Sequence, residues 1–322
     1  MFIIRHTKQL LIFAVLIYVA AFGLIGYFGI PLGIDFTGGS LTEVSYEELP
    51  QKMVLEEALS PLSLGGYSLR ATTEEGGREG YILRTRELSE AERQSVTNIL
   101  TDAGVDGTVD RFTSIGPVIG EELKGKAFWA IGAVSLIIVF YVAFVFRGVS
   151  KPVGSWVYGG ITILVLIHDV LVPTAVMSIL GYILGVEADV LFVMALLAVL
   201  GYSVNDTIVV FDRVRENLMG NRNEKERVIK EAGVTRTETT YTLTRPFEEI
   251  VGESVSQTMA RSINTSLTTL LALVALYIFG GAVTQTFALV LIVGIIAGTY
   301  SSIFIANPLL IAIARWQSKK NQ

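Results

Sequence analysis

The chain contains no cysteine in 322 residues. Disulfides and thiolate metal sites are therefore excluded. Only two histidines are present, His6 and His168, so a histidine-ligated metal centre is not expected either. Charge is also scarce: 17% of residues are Asp, Glu, Lys or Arg, while 51% are hydrophobic, and the mean hydropathy is +0.56. A water-soluble globule of this length carries about 25% charged residues. With a net charge of −5 and no block of basic residues, nothing points to nucleic acid. These shortages leave one class, an integral membrane protein.

About 20 apolar residues are needed to cross the hydrocarbon at ~1.5 Å per residue. Six segments satisfy this: 9–30, 127–146, 154–180, 188–211, 259–280 and 286–313. The first resembles a signal peptide in following Arg5 and Lys8, but it exceeds the usual 7–15-residue apolar core. No small-x-small cleavage site precedes "PLGIDFTGG", so a retained helix is expected. Lys and Arg accumulate beside the ends of the spans on one side only: Arg5 and Lys8, Arg147 and Lys151, eight residues from Arg213 to Arg245, and Arg315, Lys319 and Lys320. By the positive-inside rule both termini are cytoplasmic and residues 31–126 lie outside.

The outer segment reads as a folded domain. Strands are expected at 41–46, 66–73, 79–86 and 107–115, with a turn at Gly76 and Gly77, and helices at 51–60 and 89–104. Ser89 and Glu92 are spaced as a capping box and Gly104 as a helix stop. The order β-α-β-β-α-β is the ferredoxin-like pattern. Residues 212–258 read as a charged cytoplasmic connector with weak helical periodicity at 223–232.

Several polar groups lie inside apolar runs. Asp206, beside Asn205, lies roughly 9 Å inside the stop at Asp212 and Arg213. A carboxylate so placed is penalised by about 2.5–3.5 kcal/mol at a helix centre, and such residues usually face a bundle interior and act there. Asn205 has the alternative of a packing role through interhelical hydrogen bonds. Arg261 lies where the fifth span enters from the same side; it reads either as a partner for Asp206 or as a snorkelling interfacial cation. His168 and Asp169 lie near the middle of the third span, and Pro173, four residues on, deprives the Asp169 carbonyl of its helical donor. That group suits a proton relay or water site, or else a satisfied polar cluster that locks helices. Gly294 and Gly298 form a close-packing GxxxG in the sixth span.

Four ordered motifs carry a resemblance: "GIDFTGGS" (33–40), "HDV" (168–170), "GYSVNDTIVVFDRVREN" (201–217) and "SINTSLTTLLALVALYIFGG" (262–281). Together they resemble the SecF subunits of the bacterial Sec translocase, in the RND superfamily. The short outer domain and the VND motif favour SecF over its paralogue SecD. The resemblance implies half of an RND-type bundle, six transmembrane helices with a small α+β ferredoxin-like extracytoplasmic domain. It implies a non-enzymatic, cofactor-free subunit in the inner membrane. Such a subunit works with SecD, the SecY channel complex and unfolded secretory polypeptides, and uses the proton-motive force to promote their export. It assigns Asp206 and Arg261 to the proton path, and Asp35, Phe36, Thr37, Gly38 and Gly39 to the junction between membrane and domain. The 212–258 connector is longer than the family usually carries. The alternative from the same layout is an RND-type proton-driven exporter of lipid or a small amphiphile.

Overall fold

The computed structural model describes residues 2–73, 78–147, 153–231 and 234–320. The expected turn at Gly76 and Gly77 lies outside the described residues. Six helical stretches are long and apolar enough to cross a membrane, and each expected segment matches one of them, overrunning its ends by at most two residues. The protein is an α-helical membrane protein with one small antiparallel α+β domain.

Helix α1 (Phe2–Phe28) leads through a short helix, α2 (Ile34–Thr37), into that domain. Its elements are β1 (Gly39–Tyr46), α3 (Lys52–Leu59), β2 (Ser68–Thr73), β3 (Glu79–Thr85), α4 (Glu90–Asp102) and β4 (Thr108–Ile115). The strands pair in the order β2-β3-β1-β4, all antiparallel, with both helices on one face. This is the ferredoxin-like topology. Side chains alternate across a strand, so Tyr81 and Leu83 of β3 are buried under the helices while Ile82 and Arg84 face the other way. The expected capping box forms: Ser89 accepts from the Glu92 N–H, and the Glu92 carboxylate accepts from the Ser89 N–H at 2.9 Å. Gly104 does follow α4, but for a different reason than the one expected. Its φ is not positive; a Cβ there would lie 2.5 Å from the Tyr46 ring.

The bundle continues with α5 (Pro117–Val145), α6 (Ser155–Leu184) and α7 (Val190–Gly220). Helix α5 begins ten residues before the expected 127, its first turn started by Pro117 at a position that needs no N–H donor. Helix α7 does not stop at Asp212 and Arg213. It runs on to Gly220, with those two charges paired within the helix to Arg215 and Glu216. Residue 232 lies outside the described residues, and residues 223–231 are not helical. They belong to a two-stranded antiparallel hairpin of β5 (Arg222–Glu231) and β6 (Val234–Leu243), paired from Arg222↔Leu243 to Glu231↔Val234. The weak 3.6-residue periodicity there misled because it came from charges, with no apolar stripe to bury. Helix α8 (Phe247–Phe279) starts twelve residues before the expected span, and Ile250, Val251 and Val255 of the extra turns are buried in the main core.

The last span is broken. Helix α9 (Ala282–Phe304) ends where α10 (Ala306–Lys320) begins, at a residue with φ −113°. Pro308 removes the N–H that the Phe304 carbonyl would have received. The Asn307 side-chain amide donates instead to the Ser302 carbonyl at 2.8 Å, with Asn307 fully buried. A straight helix over Thr284–Lys319 would measure about 54 Å, well beyond the ~30 Å hydrocarbon. The break turns α10 against α1, α6 and α8, where Arg315 pairs with Glu248.

Candidate functional site

Helix α7 packs face to face on α9 through the glycines of the GxxxG. A Cβ on Gly294 would stand 2.2 Å from Val199, and one on Gly298 would stand 2.8 Å from Ser203. This approach closes the bundle around the polar face of α7. Asp206 lies on that face, 3% exposed, with Ser262 and Ser266 of α8 opposite it. Its Oδ2 finds no hydrogen-bond partner among the described residues, and neither does the Ser262 hydroxyl. The Ser266 hydroxyl lies 2.6 Å from that of Thr299, which carries the polar seam to α9. Arg261, read from the sequence either as a partner for Asp206 or as an interfacial cation, is exposed and makes no ion pair among the described residues, though its charge is near enough to act on Asp206. Asn205 is also exposed, on the side of α7 away from the bundle core.

One helical turn earlier on α7, Ser203 donates a hydrogen bond to Asp169 Oδ2 on α6. The other carboxylate oxygen lies 2.9 Å from His168 Nδ1. Asp169 is fully buried and His168 is 2% exposed. The rings of Tyr18 from α1 and Tyr300 from α9 flank the imidazole, at centroid distances of 5.6 and 5.9 Å. The Nε2 atom of His168 has no hydrogen-bond partner among the described residues. Pro173 remains inside a continuous α6. The structure therefore gathers two polar stations on one face of α7: Asp206 with its serines, and Asp169 with His168 and Ser203.

The residues 35–39 form the hinge between domain and bundle. Gly38 and Gly39 have φ of 72° and 129°, a region L side chains rarely adopt. A Cβ at Gly38 would also lie 2.7 Å from Pro117 Cα, and one at Gly39 would lie 2.6 Å from the Thr85 carbonyl oxygen. Phe36 is buried, with Gly120 of α5 packed against its backbone. Thr37 accepts a hydrogen bond from Arg84 at 2.6 Å, and Arg84 also pairs with Glu187 of the α6–α7 loop. Asp35 accepts from the Val190 N–H at 2.9 Å, beside the α7 N-cap Asp189, which accepts from Phe192 at 2.8 Å. Burial, with the Asp35 charge adding to it, pushes the Asp189 carboxyl above its ordinary range, opposed by the Phe192 N–H. The Gly33 N–H donates to the Ala188 carbonyl at 2.8 Å, and the Ala188 N–H donates to the Pro31 carbonyl at 2.6 Å, across the same seam.

Residues 95–316 match the family described as protein export membrane protein SecD/SecF, C-terminal, and residues 24–48 match the SecD/SecF GG motif. The chain belongs to the SecD/SecF protein-export family. It is 39% identical to the protein translocase subunit SecF of Thermobaculum terrenum, over 91% of this chain and 86% of that protein. It is 37% identical to the SecF of Anaerolinea thermophila, over 97% and 93%. The crystal structure of SecDF, a translocon-associated membrane protein from Thermus thermophilus, superposes with a TM-score of 0.79 at 30% identity. That match covers 97% of this chain and 38% of SecDF, so the chain spans about two fifths of the length of that structure.

Within this SecD/SecF protein, the match to the GG motif covers the end of α1, the whole hinge and all of β1. Sequence reasoning located Asp206, His168 and Asp169 but missed Ser203, Ser262, Ser266, Tyr18 and Tyr300. A signal for three of these was present: Ser203 is three residues before Asp206, and Ser262, Ser266 and Thr269 recur at helical spacing. The contributions of Tyr18 and Tyr300 depend on which helices become neighbours.

Proposed function

We propose that this chain is the SecF-type half of a Sec translocase motor, paired with a SecD-type half, that uses the proton-motive force to promote export of secretory proteins through or after the SecY channel. Family membership favours protein export over the lipid-exporter reading of the same layout. One observation carries the proton-driven part: a carboxylate buried inside the bundle, with one oxygen lacking any hydrogen-bond partner among the described residues and serine hydroxyls opposite. A proton taken up there cancels a buried charge that no ion pair among the described residues holds. Each proton crossing 100 mV releases about 2.3 kcal/mol.

The sidedness implied by Lys and Arg puts both termini in the cytoplasm and the ferredoxin-like domain outside. Asp206 is then nearer the cytoplasmic end of α7, and Asp35 holds the outer end of the same helix. Sixteen residues separate Val190 from Asp206, about 24 Å of continuous helix. A shift of α7 on protonation at one end reaches the hinge at the other as a rigid displacement. The Asp169 station, joined to α7 by Ser203, is a second relay position along the same face. The exposed Asn205 and Arg261 suit contact with a second membrane half, since polar groups in hydrocarbon otherwise find no partner. The relative named SecDF, in which this chain covers 35% of the length at 32% identity, supports a SecD-type half as that partner.

The test is Asp206→Asn, which keeps shape and hydrogen bonding but does not titrate. In vesicles holding the complete translocase, the variant should assemble normally and lose the part of export driven by an imposed proton gradient. Asp206→Glu should keep a fraction of it. Gradient-driven export at the normal rate by the Asn variant would show that Asp206 is a packing residue.

A further inference from the structure

Helices α1 and α5 both pack on α6 and leave a groove between them of about 730 Å3. Phe22 and Ile25 of α1 form one wall, Phe128 and Ser135 of α5 the other, and Leu166 and Val170 of α6 the floor. The groove ends at Phe36 of the hinge, and Lys124 stands at its rim. Lys124 lies three residues before the apolar run that begins at Ala127, which puts its ammonium near the level of the outer headgroups.

We propose that this groove binds a phospholipid, one acyl chain lying along α6 and the headgroup phosphate resting on Lys124. The bilayer presents hydrocarbon to the groove, and leaving it empty would forfeit the dispersion contacts of its whole lining. Its volume is that of a ligand site, which runs about 300–1,000 Å3. A spanning helix of a partner subunit, about 10 Å across, would lay only one face in an open groove of this volume. The polar groups that suit such a partner, Asn205 and Arg261, lie on α7 and α8 and do not line the groove. Among the described residues Lys124 pairs with Glu121 alone, at 3.4 Å on an exposed surface. A pair of that kind holds its members weakly and leaves the ammonium able to turn to a phosphate. The bound chain would fill the space between α1 and α5 directly beneath Phe36, so its occupancy would brace the hinge.

The experiment uses the full chain in nanodiscs containing phosphatidylglycerol and a tracer of the same lipid with a photoactivatable diazirine in its acyl chain. Cross-links are mapped by mass spectrometry. They should concentrate on Phe22, Ile25, Phe128 and Ser135, well above the outward-facing Leu271 of α8. Ser135→Trp fills the groove and should abolish that concentration, whereas Ile137→Trp, exposed and outside the lining, should leave it unchanged. Lys124→Gln should lower groove labelling roughly five-fold, the factor that about 1 kcal/mol per basic residue at the surface yields. Labelling spread evenly over all lipid-facing helices would reduce the groove to ordinary solvating lipid and overturn the proposal. So would displacement of the tracer by a 20-residue apolar peptide but not by excess phosphatidylglycerol. The comparison of groove and Leu271 within the unaltered chain decides the matter even if a Trp variant misfolds.

Discussion

The carboxylate of Asp35 accepts a hydrogen bond from the backbone N–H of Val190 at 2.9 Å, joining the end of the first span to the start of the helix that carries Asp206. A helix N-terminus leaves its first N–H groups without intrahelical partners, and it carries the positive end of the helix dipole. Asp35 and Asp189 share that end of α7, one from the hinge and one from the helix's own N-cap.

Asp35→Ala should therefore loosen the outer end of α7, at a cost of about 0.5–2 kcal/mol for the lost cap. Hydrogen exchange of the Val190 amide should speed up, and gradient-driven export should fall while the protein still assembles. Asp35→Asn keeps an acceptor oxygen and should lie between the two. Unchanged exchange at Val190 in the Ala variant would mean that Asp189 alone caps the helix.

The α7–α9 contact should tolerate almost no added volume. Gly294→Ala places a methyl 2.2 Å from Val199 and should lower thermal stability in detergent by about 1–3 kcal/mol. Gly23→Ala, in α1 with nothing within 4 Å of its Cβ, is the matched control and should be neutral or slightly stabilising. Equal effects at the two positions would refute close packing as the role of Gly294.

Ser203→Ala should leave the fully buried Asp169 with His168 as its remaining side-chain partner. Removing one partner of a buried polar group costs about 1–3 kcal/mol. A second substitution, Asp169→Asn, should recover part of this loss, because the amide no longer carries an unsatisfied charge. Additive losses in the double variant would show that the two side chains do not act as a pair.

The start of α4 in the outer domain should be acid-sensitive. The Arg86 hydrogen bond, with those from the Ser89 backbone and hydroxyl, lowers the Glu92 carboxyl to about 2. A depressed carboxyl stabilises the fold fully above its unfolded value, near 4.5, and loses that contribution as pH falls toward 2. Hydrogen exchange at the first turn of α4 should rise across that window in the unaltered chain and rise less in Glu92→Gln, where only Glu90, held down by Arg93, still titrates in that turn. A first turn indifferent to pH in both would show that the capping box does not hold it.

Much of this architecture is written in local chemistry. Apolar length alone locates six spans, the alternation of strands and the Ser89–Glu92 spacing give the outer domain, and paired glycines mark the hinge, because each depends on neighbours within a few residues. Pro308 was also readable as a helix break, although a continuous apolar run hid it. The tertiary structure decided which faces meet. A membrane helix that is apolar nearly all round has no stripe to declare its partner. Periodicity therefore places Ser203 and Asp206 on one face of α7 but cannot say that Asp169 and Ser262 stand opposite them. For the same reason it left open which way Arg261 turns, and the packed chain turns it outward. The Asp35–Val190 bond lies between residues 155 positions apart, and only folding brings an unpaired N–H and a carboxylate at that separation within reach of each other.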